Sequence, residues 1–237
     1  SIAYGCAKAF VELGADIALT YQSDKAKPHV EAVAQELGAA LFSPLDVTNP
    51  EQVDALFQEI EAKWGKLDLL VHSIAFAPKA DLHGGLLDSS AEGFAKAMDI
   101  SCHSLMRLTK KAVPLMKDGG SIFAMSYYGA NKVVPNYNLM GPIKAALEAS
   151  CRYLAYELGP KKIRVHAISP GPMKTLAGSA IGGARATYRH TEDNTPLRSN
   201  ATLEAIGGTA VWLCSDYGAC TTGEIVHVDG GFHIRRL

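Results

Sequence analysis

The sequence predicts an α/β protein of one domain over residues 1–237, built on a doubly wound parallel sheet with helices on both faces. Three observations predict it. Short apolar runs alternate with longer amphipathic stretches from end to end. The runs are continuously apolar rather than alternating, as strands buried on both faces are. No linker, repeat or low-complexity tract divides the 237 residues, of which 48% are hydrophobic, enough for one large core. Together these describe a Rossmann-like sheet.

The strands expected in order are 16–21, 40–43, 67–74, 120–126, 163–168 and 224–228. Helical spacing falls near 5–13, 24–37, 51–64, 91–117, 136–158 and 202–214, with start signals at Thr48-Asn-Pro-Glu51 and Thr202. Residues 169–200 read as a long irregular segment, the length expected of a binding loop or lid. The chain opens at Ser1-Ile-Ala-Tyr-Gly5, already inside the turn that follows the first strand of a dinucleotide-binding sheet. That central strand is therefore expected to be missing from the sequence given, which is read as a truncated form of a longer protein.

Composition excludes several functions. The net charge is -1 with scattered Lys and Arg, which gives no basic stripe for nucleic acid and no polybasic membrane anchor. No run of about 20 apolar residues or signal peptide occurs, so a soluble, cytoplasmic protein is expected. The five cysteines are odd in number and contain no C-x-x-C pair; they are read as small buried hydrophobes in a reducing compartment. The eight histidines lack metal-ligand spacing, and His72, His166 and His227 are expected to be satisfied core residues. No metal is expected.

The most informative local pattern is Tyr137 and Lys144, seven residues apart. On a helix this spacing is two turns, which would put phenol and ammonium on one face roughly 10 Å apart. Either residue alone would be an ordinary amphipathic side chain. Placed after the strand at 121–126, the pair would stand at the carboxyl edge of the sheet, where ligands bind in open α/β folds.

Several stretches agree in order and spacing over essentially the whole chain: Thr20-Tyr-Gln22, Asp46-Val47, Val71-His-Ser-Ile-Ala-Phe-Ala-Pro78, Met98-Asp-Ile-Ser101, the Tyr127/Tyr137/Lys144 region, Ile168-Ser-Pro-Gly-Pro172 and Gly223-Glu-Ile-Val-His-Val-Asp-Gly-Gly231. In these the chain resembles the bacterial NADH-dependent enoyl-acyl carrier protein reductases, divergent short-chain dehydrogenases/reductases. The resemblance implies reduction of a 2-enoyl thioester in fatty acid synthesis, with an acyl carrier protein presenting the substrate and a homotetrameric assembly. Ordinary short-chain ketoreductases space Tyr and Lys four apart, but four before Lys144 stands Met140, which cannot serve. A longer spacing suits an oxygen two carbons beyond the carbon that receives hydride. Tyr137 is thus the expected donor to the thioester carbonyl, Lys144 the holder of the nicotinamide ribose, and Tyr127 a wall of the acyl pocket or an aid to protonation.

For the cofactor, the resemblance and the strand positions assign Asp46 and Val47 to the adenine and Gln22 to the adenosine ribose. Ser73 and Ile74 would pass along the cofactor. Met173 and Thr175 are assigned to the carboxamide and diphosphate, and Ser1 and Ile2 to the pyrophosphate. With no Arg near Gln22, NADH is favoured over NADPH. The competing reading of Asp46 is a helix cap ahead of Pro50. The chain departs from the family pattern at Pro142, expected to disturb the helix carrying Lys144, at His166 in place of Asn, and at Ala184 in place of an aromatic. Two alternatives remain open: a short-chain reductase for another conjugated carbonyl, and an inactive cofactor-binding homologue.

Overall fold

The computed structural model describes residues 1–173 and 184–234, with backbone only for 184–187. Six parallel strands form, at Ala18–Tyr21 (β1), Leu41–Pro44 (β2), Leu69–His72 (β3), Gly120–Met125 (β4), Ile163–Pro170 (β5) and Ile225–Val228 (β6). Each lies within three residues of its expected position. The helices are Ile2–Glu12 (α1), Lys27–Glu36 (α2), Pro50–Trp64 (α3), Lys79–Leu82 (α4), Ala91–Met98 (α5), Ser104–Ala112 (α6), Met140–Leu158 (α7), Ala184–Asn194 (α8) and Leu203–Cys214 (α9).

The double winding follows from side-chain alternation on the central strands. On β4, Ile122 and Ala124 point to one face, where they join Val53, Leu56 and Ile60 of α3, Leu105 and Leu108 of α6, and Ile143 and Leu147 of α7. Phe123 and Met125 point to the other, with Cys6 and Phe10 of α1 and Ile206, Ala210 and Leu213 of α9. Burying one side chain of the size of Phe123 or Leu105, both 0% exposed, stabilises by about 1.5–3 kcal/mol. Helices α1 and α9 approach closely because glycine faces glycine: a Cβ on Gly207 would lie 2.6 Å from the Gly5 carbonyl oxygen.

The sheet is divided. β1 pairs only with β2, and β3-β4-β5-β6 form a separate four-stranded ladder. Between β1 and β3 lies a slot with a volume of about 660 Å³, lined mainly by Phe10, Leu19, Leu56, Phe57, Leu69 and Val71. No strand among the described residues fills the position at which the sequence predicts an absent one. This division corrects one expectation: β1 and β3 are mostly half-buried rather than buried, since each borders the slot. Half-buried β6 closes the four-stranded ladder at the end opposite β3.

Three helical expectations change. The stretch 91–117 is not one helix but is interrupted by a π-helical turn at Asp99–His103. The segment 169–200 contains α8, so it is not wholly irregular. Helix α7 begins at Met140 rather than 136. Pro142 therefore sits in its first turn, where no intrahelical N–H partner is lost and no kink results. At α3 the cap is Asn49, whose Oδ1 accepts from the N–H groups of Glu51 (3.0 Å) and Gln52 (3.2 Å), with Pro50 in the first turn. Thr202 caps α9 as expected. All five cysteines are free; Cys6, Cys102 and Cys151 are buried, Cys214 is half-buried and Cys220 is exposed, against the expectation of burial.

Candidate active site

The predicted residues gather where the chain order reverses, between β1 and β3, at the carboxyl ends of the strands. Gln22 beyond β1, Asp46 and Val47 beyond β2, and Ser73 and Ile74 beyond β3 all border the 660 Å³ cavity. The switch point of an open α/β sheet is where small-molecule sites form. Ile2 and Met173 pack against the apolar cluster beneath α1 and α9. Thr175 lies outside the described residues, as do Gly182 and Gly183; for Ala184 only the backbone is described.

Ser1 is the N-cap of α1, its hydroxyl accepting the Tyr4 N–H at 3.3 Å, while the Gly5 N–H bonds the Ser1 carbonyl. This leaves the Ile2 and Ala3 N–H groups at the positive end of the helix for an anion. Asp46 does not cap α3. Its Oδ1 accepts from the Thr48 N–H (2.9 Å) and hydroxyl (2.7 Å), while its own N–H donates to Gln52 Oε1 (2.7 Å). The loop beyond β2 is thus held by α3, and Arg107 of α6 adds a bond to the Val47 carbonyl at 2.6 Å.

The structure corrects the placement of Tyr137. It lies not on α7 but in the turns preceding it, with Asn136 at φ 64° and Asn138 at φ 38°. Asn tolerates this left-handed backbone better than most side chains, and two such residues flanking Tyr137 break the helical path. The two-turn, one-face geometry inferred from spacing therefore does not hold. Instead the Tyr137 ring is packed edge-on against Tyr127, centroids 4.8 Å apart at 63°. Gly129 provides the room, since a Cβ there would lie 2.3 Å from Tyr137 Cδ1. Asn138 ties the turn to the loop after β3 by donating to the Gly84 carbonyl at 2.5 Å.

Lys144, on α7, is 4% exposed. Its ammonium donates to the Met125 carbonyl at 2.6 Å, the only hydrogen-bond partner it has among the described residues. An ammonium carries three donors, so two remain for hydroxyl groups of a ligand. Burial pulls its pKa down to about 8, against smaller upward pulls from Cys102, Cys151 and Glu148. Burial pushes the Tyr127 phenol up to about 12, and raises Tyr137 further with help from Tyr127 and Glu148. Both phenols are protonated at neutral pH and act as hydrogen-bond donors. A buried cation with unspent donors and a helix start with two free N–H groups suit the hydroxyl and phosphate groups of a dinucleotide.

Sequence reasoning missed several supports. Ser101, 0% exposed in the π-helical turn, accepts the Phe76 N–H and donates to the Phe76 carbonyl, each at 2.8 Å, clamping the loop after β3. π-helical turns are frequent at functional sites, but no propensity signal marks one in advance. Glu148 is 3% exposed and accepts from Ser126 and Asn131. The expectation of satisfied core histidines is corrected. His72 bonds Ser104 through Nε2 at 2.7 Å, but among the described residues its Nδ1 has no partner, and neither nitrogen of the fully buried His166 has one of good geometry, the Thr221 backbone being the group that favours its charged form. Burial lowers both pKa values, His72 to about 3, which keeps these rings neutral. His227 stacks on His233 at 4.0 Å and 12°, beside Asp229. The Asp229 carboxylate is engaged by the N–H groups of Gly231 and His233 and by His233 Nδ1. One ligand atom from each of His227, Asp229 and His233 lies within 4.8 Å of the others, a grouping that the histidine spacing in the sequence does not reveal.

Fold and site together define a doubly wound, dinucleotide-type reductase. The family model described as "Enoyl-(Acyl carrier protein) reductase" matches residues 1–233. An enoyl-[acyl-carrier-protein] reductase [NADH] of Rhizobium meliloti is 52% identical over 233 residues, covering 98% of this chain and 86% of the relative. Its counterpart in Aquifex aeolicus is 48% identical, covering 99% and 87%. The crystal structure of the Anaplasma phagocytophilum reductase in complex with NAD superposes with a TM-score of 0.95 at 49% identity, covering 100% of this chain and 90% of that one. The Bacillus cereus enzyme, solved with NADP+ and an indole naphthyridinone, superposes at 0.97 and 42% identity, covering 100% and 93%. The chain belongs to the enoyl-[acyl-carrier-protein] reductase family.

Proposed function

We infer that this chain is an NADH-dependent enoyl-[acyl-carrier-protein] reductase of fatty acid synthesis. The observation that carries the reading is the buried Lys144 ammonium, with donors to spare, in a chain matched along residues 1–233 by the family model. NADH, when bound, supplies the hydride that the β-carbon of a trans-2-enoyl thioester accepts. The residues do the rest. The Tyr137 phenol donates to the thioester carbonyl and stabilises negative charge as it moves onto that oxygen. Tyr127 holds the Tyr137 ring and closes the acyl wall. Lys144 binds the ribose hydroxyls. Ile2 and Ala3 offer N–H groups to the pyrophosphate, Asp46 and Val47 hold the adenine, Gln22 the adenosine ribose, and Ser73 and Ile74 line the path between. Met173, and Thr175 in the segment beyond, serve the nicotinamide end, and 169–200 is the substrate-binding segment of a one-domain enzyme.

The test is NADH absorbance with crotonyl and longer 2-enoyl thioesters, beside a 3-oxoacyl control and an NADPH arm. Turnover of enoyl substrates is expected. Reduction of the 3-oxo substrate alone would sink the assignment, and absence of NADH binding would favour an inactive homologue. Tyr137→Phe should lower kcat by roughly 10²–10³-fold, the cost of losing one oxyanion donor, with little change in NADH affinity. An acyl carrier protein partner follows from the family. A cytoplasmic homotetramer is also proposed, supported by the exposed Tyr153 and Tyr156 on α7 and by the absence, among the described residues, of a helix long and apolar enough to cross a membrane. Light scattering checks the assembly: a monomer at micromolar concentration would refute it.

A further inference from the structure

We propose that Glu148 is a positioning residue of the reductase site, a buried counter-charge that keeps Lys144 protonated and clamps the turn carrying Tyr127. The proposal rests on the reading of Lys144 as the ribose-binding cation. Glu148 stands four residues beyond Lys144 on α7, hence on the same face, and is 3% exposed. A carboxylate so buried requires partners. It has them in the Ser126 hydroxyl at 2.6 Å and the Asn131 amide at 3.1 Å, the two residues that bracket Tyr127–Ala130. One side chain thereby ties the catalytic helix to both ends of the segment that supports Tyr137.

The charge has a second effect. The groups that face Lys144 are Met125 from β4, His72 from β3, Cys102 from the π-helical turn, and Cys151 and Glu148 from α7 itself. His72 is kept neutral by burial, and burial raises both thiols, Cys151 to about 12. Glu148 is the carboxylate of the group. Yet no ion pair within 4.0 Å joins it to Lys144 among the described residues. Its charge favours the ammonium through space, after the larger effects of burial, and does not occupy the donors a ligand needs.

Glu148→Gln removes the charge at nearly constant shape. The pH midpoint above which NADH affinity is lost, followed by fluorescence titration, should fall by about one unit, a usual effect of one nearby charge in a buried site. Glu148→Asp keeps the charge and should keep the midpoint, while slack at Ser126 and Asn131 lowers kcat. A merely structural glutamate would lower stability and kcat in both variants and leave the midpoint where it was, and that result overturns the proposal. If Glu148→Gln does not fold, Glu148→Ala is titrated in its place, and a midpoint left where it was in that charge-free variant is equally fatal. If Lys144→Met binds NADH normally, the reading of the site has failed. The counter-charge is then judged on the Lys144 amine alone, by ¹³C NMR of methylated protein, where Glu148→Gln must still lower the titration midpoint.

Discussion

Lys144 shows how a single buried group costs stability, which on the proposed reading is exchanged for binding. Its ordinary pKa is 10.5 and burial brings it to about 8 in the folded chain. Between those values the unfolded chain binds more protons than the folded one, so stability rises with pH through that window. Below about pH 8 the buried ammonium costs the cofactor-free protein about 3 kcal/mol. Lys144→Met should therefore gain most over the wild type at pH 7, and the gain should shrink as pH rises toward 10.5. Urea denaturation at pH 7, 8 and 9.5 measures it; a difference constant with pH would contradict the account. Lys144 is singled out in the sequence by its spacing to Tyr137, whereas its burial was not legible, because an isolated Lys reads as solvated. The position of Tyr137 was misread for a related reason. Helical periodicity extends across Asn136 and Asn138, and only their left-handed backbone reveals that the helix has not yet begun.

At the scale of elements, the six strands were all recoverable because continuous apolar runs are a strong signal, and their ends moved by no more than three residues. Breaks caused by tertiary contacts were not recoverable: the π-helical turn at Asp99–His103, held where Ser101 clamps Phe76, and helix α8 inside an apparently irregular segment. The short helix at Tyr128–Ala130 matters most for function, since it backs the Tyr137 ring at Gly129. Gly129→Ala would place a methyl group 2.3 Å from a ring carbon and must displace the phenol. Because misplacement by about 1 Å can cost roughly a hundredfold, kcat should fall on that order, while NADH affinity, which depends on other elements, stays within about twofold. Stopped-flow kinetics beside NADH titration separates the two. Equal loss of both would mean that the turn supports the whole site rather than the phenol.

Among the described residues the sheet is two ladders, with the proposed cofactor residues shared between them. Gln22, Asp46 and Val47 belong to the β1–β2 side; Ser73, Ile74 and Lys144 belong to the four-stranded side. Within the described residues β1 has a ladder partner on one edge only, whereas β4 and β5 are paired on both. Amide groups that lack ladder partners and face a slot open at lower cost than those in a central strand. The β1–β2 pair should therefore exchange hydrogen fastest among the strands, β4 and β5 slowest. NADH, on the proposed reading, lies across the carboxyl ends of both ladders, so its binding energy enters the stability of both together. At a concentration one hundred times its Kd it adds about 2.7 kcal/mol, enough to raise Tm by about 5–10 °C in a chain of this size. Hydrogen exchange with and without NADH locates that gain. Protection of β1 and β2 as strong as that near Lys144 is the expected result, because only a ligand touching both sides couples them. Protection limited to the Lys144 side would place the cofactor on one ladder and remove Gln22, Asp46 and Val47 from its site.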